Sequence, residues 1–416
     1  MSTTQSPVAK SSDQQDERLA DRSGFGGAVA SVLDRVRAGD LGVLPVILGL
    51  IVIWTVMQVL NPVFLSPRNL VNLTMESVPV GMIALGIVCV LLVGQIDLSV
   101  GSVSGLSAAI VAVLFVNQGL PVAVAVAVAV LTGAAIGLLY SFFFLRFGVP
   151  SFVISLSGLL AFLGIQLYVL GPQGSINIAF SSALVQFAQQ SFVPPWLSYV
   201  LAVLTGVALL LIGLGQRRAR TVADLSAPPL TLIIVRAVLL TSLFLFAMVY
   251  LNQGRGLGWM VVLFAGLVLV LHYLLTRTTW GHWMYAVGGN AEAARRTGVK
   301  VNAIYVSAFV LCSSFAALGG VLAASRLAAA NQSTGGGDVN LNAIAAAVIG
   351  GTSLFGGRGT AFAALLGIIV IQSISSGLAL LSLDSAFRFA ITGAVLLLAV
   401  TIDSVARRSR ASHGRG

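Results

Sequence analysis

Long apolar stretches, each about as long as a lipid bilayer is thick, recur along the whole chain. A helix needs about 20 mostly apolar residues to cross a hydrocarbon core of about 30 Å. The candidate stretches are Leu41–Leu60, Ser77–Gly94, Ser99–Val116, Val122–Phe144, Val149–Leu170, Trp196–Gly213, Leu232–Leu251, Trp259–Leu275, Ala303–Ala324, Leu341–Thr352, Thr360–Leu381 and Phe387–Val405. They predict an all-α, polytopic transmembrane helical bundle of about 12 spans, within about 10–14. Leu341–Thr352 is too short to cross alone and is predicted to be a half-helix.

The composition supports this fold class and argues against several others. Of the 416 residues, 57% are hydrophobic and 9% are charged, against roughly 45–50% and about 25% in soluble domains. Cys89 and Cys312 both lie in apolar runs, so no disulfide framework is predicted. The chain has no P-loop motif, and its three histidines lack metal-ligand spacing. We therefore predict no cofactor and no metal site, and the lack of a catalytic cluster disfavours a membrane enzyme.

The positive charges fall mainly on one side of the predicted bundle. With the N-terminus inside, all but four of the 23 Lys and Arg residues lie on the cytoplasmic side, which places both termini in the cytoplasm. The four exceptions are Arg68, Arg255, Arg326 and Arg388. The chain then divides into a partly disordered N-terminal tail (1–40), a membrane domain (41–405) with a cytoplasmic loop (276–302), and a basic C-terminal tail (406–416). Because the net charge of +10 arises in loops and tails, no nucleic-acid partner is predicted.

Two stretches of the chain are similar at a fixed offset, residues 92–101 and residues 348–357. The matching glycines are Gly94 with Gly350 and Gly101 with Gly357. Hydrophobic segments that glycine interrupts at corresponding positions of two halves are typical of transport sites. The similarity predicts a two-fold internal repeat with turns at these glycines. The alternative is chance similarity between membrane segments that are rich in Gly and Val.

Asp97 stands in a glycine-bounded turn between two predicted spans. An ionised carboxylate near hydrocarbon costs about 2.5 kcal/mol or more, so it needs compensation. One interpretation is structural, in which Asp97 caps the next helix through its free backbone N–H groups. The other is functional, in which the turn gates or lines a polar path, with Gln95 and Ser99 adding hydrogen-bonding groups. The predicted topology puts this turn toward the cytoplasm, which favours a gate.

Amide side chains within the spans are the other candidates for a polar path. Gln166 and Gln372 lie inside predicted helices. An amide both donates and accepts hydrogen bonds, as contact with a polyol requires. We predict that both glutamines line the translocation path, and an ordinary interhelical hydrogen bond is the alternative for each.

A short amphipathic motif in the cytoplasmic loop has the signals of a helix with defined ends. Asn290 suits the N-cap and Glu292 the first turn, whereas Arg295 and Arg296 suit the last turn and Gly298 the stop. A helix of about two turns is not stable alone. We predict that it docks onto a cytoplasmic partner, and a solvated surface helix is the alternative.

These motifs resemble the membrane subunits of bacterial carbohydrate ABC importers, the family of ribose, galactose, arabinose and xylose permeases. The resemblance lies in Val93–Gly101, Gly288–Arg295 and Gly350–Gly357. It implies a homodimer in the lipid of the bacterial inner membrane, with two copies of a cytoplasmic ABC ATPase or one fused tandem ATPase per site. It also implies a periplasmic sugar-binding protein. The helix at 290–298 would then couple the permease to the ATPase.

Within this family, the chain most resembles the D-xylose permeases. These tend to replace the second glycine of the first motif with a polar residue, as Gln95 does here, although Glu is expected there. They also carry an additional apolar pair in mid-chain, similar to Leu232–Leu275. The resemblance implies a permease for D-xylose that is not itself an enzyme but belongs to an ATP-hydrolysing translocase.

Two alternative functions differ from a xylose permease. The first is the same machinery acting on ribose, arabinose or galactose. The second is an ion-coupled secondary carrier, which would need a series of buried carboxylates. Asp97 is the single carboxylate that we predict to be buried in the membrane, so the ATP-driven importer is the favoured prediction.

Overall fold

The computed structural model describes residues 44–382, apart from 224 and 226, and single positions between 386 and 401. The predicted tails 1–40 and 406–416 lie outside the described residues, as does most of the predicted span Phe387–Val405. The chain forms two compact units. The larger one contains Gly42–Phe192 and Leu257–Arg408, and the smaller one contains Val193–Gly256.

Helices account for most of the described residues. In chain order they are α1 (Leu44–Leu60), α2 (Pro67–Leu92), α3 (Val100–Ala112), α4 (Val122–Phe147), α5 (Ser151–Leu170), α6 (Ala183–Val185), α7 (Pro195–Val222), α8 (Leu230–Asn252), α9 (Trp259–Arg277), α10 (Thr279–Gly289), α11 (Ala291–Arg296), α12 (Val301–Leu327), α13 (Val339–Ile349) and α14 (Phe362–Leu380). Single π-helical turns, Val113–Asn117 and Gln186–Gln190, continue α3 and α6. A short antiparallel pair, β1 (Ser175–Asn177) and β2 (Ala329–Asn331), joins two loops.

Nine helices of the described chain are long and apolar enough to cross a membrane, and they confirm the predicted helical fold class. These helices are α2, α3 with its π-helical turn, α4, α5, α7, α8, α9, α12 and α14. Two shorter apolar helices, α1 and α13, accompany them. The 11 residues of α13 match the predicted half-helix, because about 17 Å of helix cannot cross a bilayer.

Helix α2 begins ten residues before the span that hydropathy predicts at Ser77. Ser66 is its N-cap and accepts a hydrogen bond from the backbone N–H of Asn69, and Pro67 occupies the first turn. Both residues are typical of helix starts. The predicted start is therefore wrong, and the polar segment between Pro67 and Glu76 is part of the helix.

The core of the larger unit is built around α2, which packs against α12, α13 and α14. In its most apolar stretch, 89% of the residues of α2 are buried, against 11% in the corresponding stretch of α8. Small residues let the helix backbones approach closely. Gly86 of α2 lies against the backbone of Cys312, and Gly133 and Gly137 of α4 lie against the backbone of α12. These contacts make α12 the element that joins α2 to α4.

The smaller unit contains α7 and α8, which pair with each other. Gly206 packs against Thr241, and Asn252 donates a hydrogen bond to Ser198 Oγ at 3.0 Å. The mid-chain apolar pair expected at Leu232–Leu275 forms the two helices α8 and α9, which belong to different units. Helix α9 belongs to the larger unit, where Phe264 packs against Gly81 of α2.

Candidate functional site

The three glycine-containing motifs of the sequence meet at one point of the larger unit. The carbonyl of Leu92, at the end of α2, accepts a hydrogen bond from Gly357 N at 2.9 Å. A methyl group added at Gly288 would overlap this same carbonyl. Gly356 lies against the backbone of Gly94, and both have positive φ, of 84° and 73°. We call residues 92–95, 288–289 and 355–357 the glycine junction.

The two stretches that align in sequence therefore contact each other, but their aligned glycines take different conformations. Gly94 has φ of +73°, whereas Gly350 ends α13 with φ of −69°. Gly101 lies inside α3, whereas Gly357 lies in a turn with φ of +71°. The connections also differ in length, because α3 begins at Val100 directly after its turn and α14 begins only at Phe362.

Asp97 is completely buried, and its described partners are uncharged. Its Oδ1 accepts hydrogen bonds from the backbone N–H of Ser99 at 2.8 Å and from Ser99 Oγ at 2.7 Å. Tyr140 of α4 donates to Ser99 Oγ at 2.6 Å, and Cys312 Sγ of α12 lies 3.8 Å from Asp97 Oδ2. The carboxylate thus shapes the turn before α3 and ties that turn to two other helices.

The turn at Asp97 lies well inside the helix bundle. Cys312 is about 16 Å along α12 from Val301, and Tyr140 is about 10 Å from the end of α4 at Phe147. The chain after the glycine junction therefore turns back into the bundle before α3 begins. Such irregular backbone is tolerated at membrane depth where protein surrounds it.

The start of α13 meets the start of α3 beside this turn. Asn340, in the first turn of α13, donates a hydrogen bond from Nδ2 to the carbonyl of Leu98 at 2.6 Å. Helix N-termini carry partial positive charge. Two helix starts close to Asp97 help to compensate a buried carboxylate, and discontinuous helices of this kind are common in transporter cores.

The remaining predicted path residues fall in three different places. Gln95 belongs to the glycine junction and lies beside Tyr305, near the start of α12. Gln166 is buried, and its Nε2 donates to the carbonyls of Asn331 and Thr334 at 3.1 and 2.9 Å. Gln166 thus ties α5 to the end of β2 and to the loop that follows it, and not to another helix. Among the hydrogen bonds of the described residues, none joins Gln95 or Gln166 to Asp97 or Ser99.

Gln372 of α14 belongs to a cluster that sequence reasoning missed. Its Nε2 donates to Glu76 Oε2 at 2.9 Å, and Arg326 of α12 lies 3.9 Å from Glu76 Oε1. We call Glu76, Arg326 and Gln372 the polar cluster. Glu76 escaped notice because the span was predicted to begin at Ser77. The start signal at Ser66 and Pro67 could have found it.

The short helix predicted between Asn290 and Gly298 forms as its sequence predicts, as α11. Asn290 Oδ1 accepts a hydrogen bond from the N–H of Ala293 at 2.9 Å, and Gly298 ends the motif with φ of +87°. Glu292 pairs with Arg295 and Arg296 at 3.7 and 3.4 Å. All three charged side chains are more than 60% exposed, so these pairs contribute little stability. The charged face of α11 is therefore available for contact.

A protein-family model described as a branched-chain amino acid transport system permease component matches residues 69–400. The chain belongs to this permease family. It is a multi-pass protein of the bacterial inner membrane and a transport subunit, not an enzyme. Permeases of this family act with an ATPase and a substrate-binding partner.

Several curated proteins are similar to this permease. The xylose transport system permease protein of Escherichia coli (strain K12) is 34% identical over 345 residues, which cover 83% of this chain and 87% of that protein. The xylose transport system permease protein of Haemophilus influenzae is 32% identical, and the match covers 82% of this chain and 90% of that protein. The ribose import permease protein of Bacillus subtilis (strain 168) is 28% identical, and the match covers 86% of this chain and 91% of that protein. No solved structure matches the chain.

Proposed function

We propose that this permease is the membrane subunit of an ATP-driven importer for a monosaccharide, with D-xylose as its substrate. The description of the family model names branched-chain amino acids as the substrate, whereas the names of the similar curated permeases contain xylose or ribose. The chain is more similar to the reported xylose permeases than to the ribose permease. This order of sequence identities supports xylose over ribose as the substrate.

The observation that carries the proposal is the position of α11. This exposed helix follows directly after Gly288 and Gly289, which are part of the glycine junction. At its other end, Val299 N donates to the carbonyl of Ala294 at 3.2 Å, two residues before α12 begins at Val301. A push on α11 would therefore reach both the glycine junction and α12. We assign to α11 the role of a coupling helix.

The proposed assembly contains two copies of this chain and two ATPase sites, supplied by two ATPase subunits or by a fused tandem ATPase. A periplasmic sugar-binding protein would deliver the substrate to the outer side. Closure of the ATPases would displace α11, and α12 would carry the movement to the Asp97 turn through Tyr305 and Cys312. The turn would thereby act as the inner gate of the path.

Reversal of the charge at Glu292 tests the role of α11. The Glu292→Arg chain places a third positive charge on this helix and is expected to lose at least about tenfold in affinity for the ATPase, an effect on the scale of interface charge reversals. Co-purification of the complex in detergent measures this association. The Arg218→Glu chain reverses the charge of an exposed residue in the smaller unit and serves as the control. Equal ATPase recovery with both variants would contradict the proposal.

The substrate is tested in the reconstituted importer with its binding protein and ATPase. Uptake of labelled xylose, ribose and leucine into proteoliposomes separates the two sugars from a branched-chain amino acid. We expect ATP-dependent uptake of xylose, slower uptake of ribose and none of leucine. Uptake of leucine alone would replace the sugar proposal with the substrate class in the family description.

A further inference from the structure

The polar cluster joins three helices that are far apart in sequence. Glu76 lies on α2, Arg326 on α12 and Gln372 on α14, with contacts of 3.9 Å and 2.9 Å to the carboxylate. Nearer the start of α2, Ser376 of α14 donates to Asn69 Oδ1 at 3.2 Å. Polar contacts thus continue along the packing seam between α2 and α14.

The cluster remains accessible from outside the chain. The Glu76 side chain is 48% exposed, and the Arg326 side chain is 19% exposed. Arg68 and Glu76 of α2 are exposed, and Asn72 between them is partly exposed. Because these residues are four positions apart, they form one stripe along the helix. The second half of α2 is almost entirely buried, so the accessible part of this helix is its first half, which contains the stripe.

The depth of Glu76 makes this exposure informative. Glu76 lies about 14 Å along α2 from Pro67, and its partner Gln372 lies ten residues after Phe362, near the middle of a helix long enough to cross a bilayer. Ionisable residues at such depth face a protein interior or a water-filled cavity, not lipid. Leu160 on α5 and Phe246 on α8 are strongly exposed apolar positions on spanning helices, at 67% and 68%. The environment of Glu76 therefore differs from that of these lipid-facing positions.

The chemistry of the cluster suits a neutral polyol. The carboxylate accepts hydrogen bonds, the guanidinium donates several in a fixed plane, and the amide does both. Because Glu76 and Arg326 have opposite charges, the cluster carries no net charge that would select an ion. Charge-assisted hydrogen bonds to hydroxyl groups are stronger than neutral ones, so a few contacts orient a sugar.

We infer that Glu76, Arg326 and Gln372 line a water-filled part of the translocation path and bind the hydroxyl groups of the sugar in transit. This inference rests on the proposed function, because it assumes that the substrate is a sugar. It assigns the substrate contacts to α2, α12 and α14, away from the buried Asp97 turn.

Thiol labelling tests whether water reaches the cluster. The two native cysteines, Cys89 and Cys312, are fully buried, so the background is low. In the assembled importer, the E76C and Q372C chains are treated from outside with a charged, membrane-impermeant methanethiosulfonate. The L160C chain is the control, since Leu160 is exposed and lies about 14 Å from the start of α5.

We expect E76C and Q372C to react at least about tenfold faster than L160C, because the thiolate that reacts requires water. Xylose with the binding protein should slow both reactions. If both chains react as slowly as L160C, the cluster is a dry contact and the inference is wrong. Q372C decides the result alone if E76C does not assemble.

Transport by the E76Q and Q372L importers tests sugar binding separately. We expect the KM for xylose uptake, measured at a saturating level of binding protein, to rise at least about fivefold, while ATPase association stays intact. Unchanged uptake in both variants, with a wild-type importer that transports xylose, contradicts this inference alone. A wild-type complex that binds no ATPase or transports no sugar contradicts the proposed function instead.

Discussion

Two carboxylates of the larger unit lie at membrane depth, and the structure holds them in opposite ways. Asp97 is fully buried and interacts with Ser99 and, at 3.8 Å, with the thiol of Cys312. Glu76 is about half exposed and interacts with a guanidinium and an amide. The first carboxylate contributes to the conformation of a turn. The Glu76 carboxylate remains accessible from outside the chain, beside α2.

The difference shows how a membrane protein divides structural and functional tasks between similar side chains. A buried acceptor that satisfies nearby donors fixes backbone geometry, and its removal leaves those donors without partners. An exposed ion pair contributes little to folding, so its presence at membrane depth has to be explained by function. Four substitutions test this division through their effects on stability.

The largest effect is expected from Gly288→Ala, which acts on the junction that holds the Asp97 turn. The new methyl group would overlap the Leu92 carbonyl, and backbone atoms on both sides leave little room for adjustment. We expect the free energy of unfolding to fall by about 3 kcal/mol, near the upper end for overpacking. Thermal unfolding of the purified permease in detergent measures this loss.

The neighbouring glycine provides the control for this substitution. A methyl group at Gly289 would meet no atom within 4 Å, and its φ is not positive. Gly289→Ala should therefore leave stability unchanged or raise it slightly, since alanine favours helix. Equal losses for the two variants would show that the contacts of the junction do not determine its stability.

The next largest effect is expected from Asp97→Ala, which removes the acceptor for both donors of Ser99. We expect a loss of about 2 kcal/mol in the free energy of unfolding, because two buried donors lose their partner. Asp97→Asn keeps an acceptor oxygen and should lose less. Thermal unfolding of both variants measures these losses. An Asp97→Ala chain as stable as wild type would show that Asp97 has no structural role in the turn.

Tyr140→Phe is expected to have a smaller effect on the same network. It removes one hydrogen bond, from the hydroxyl to Ser99 Oγ, and keeps the aromatic contact with Phe162. A loss of about 1 kcal/mol is typical of one buried hydrogen bond. In the double variant with Asp97→Ala, the losses should be less than additive, because both act through Ser99. Strict additivity in the unfolding measurements would contradict a shared network.

Local signals were sufficient to predict the short helix α11 and the half-helix α13. The N-cap at Asn290 and the stop at Gly298 depend on residues that are adjacent in sequence, so capping preferences describe α11 well. The brevity of α13 follows from the polar residues before it and the glycines after it. Neither feature requires knowledge of the packing around it.

The polar cluster could not be predicted in this way, because its members meet only in the folded chain. Glu76 and Gln372 are separated by 296 positions, and Glu76 itself follows polar residues that end a hydropathy-based span. The glycine junction shows the same limit. Its motifs are visible in sequence, but the contact between Leu92, Gly288 and Gly357 depends on the packing of three separate segments. Hydrophobic composition and periodicity describe single helices, whereas each of these two sites is made where three segments of the chain pack together.

The smallest effect on stability is expected from Glu76→Gln. The substitution removes one charge from a pair 3.9 Å apart that is partly exposed, and the amide can still accept the hydrogen bond from Gln372. We expect the free energy of unfolding to change by less than about 1 kcal/mol, as for exposed ion pairs. Thermal unfolding alongside Asp97→Asn compares the same chemical change, carboxylate to amide, at the two sites. If Glu76→Gln lost more stability than Asp97→Asn, the comparison would be wrong. The partly exposed ion pair would then contribute more to the fold than the buried carboxylate does.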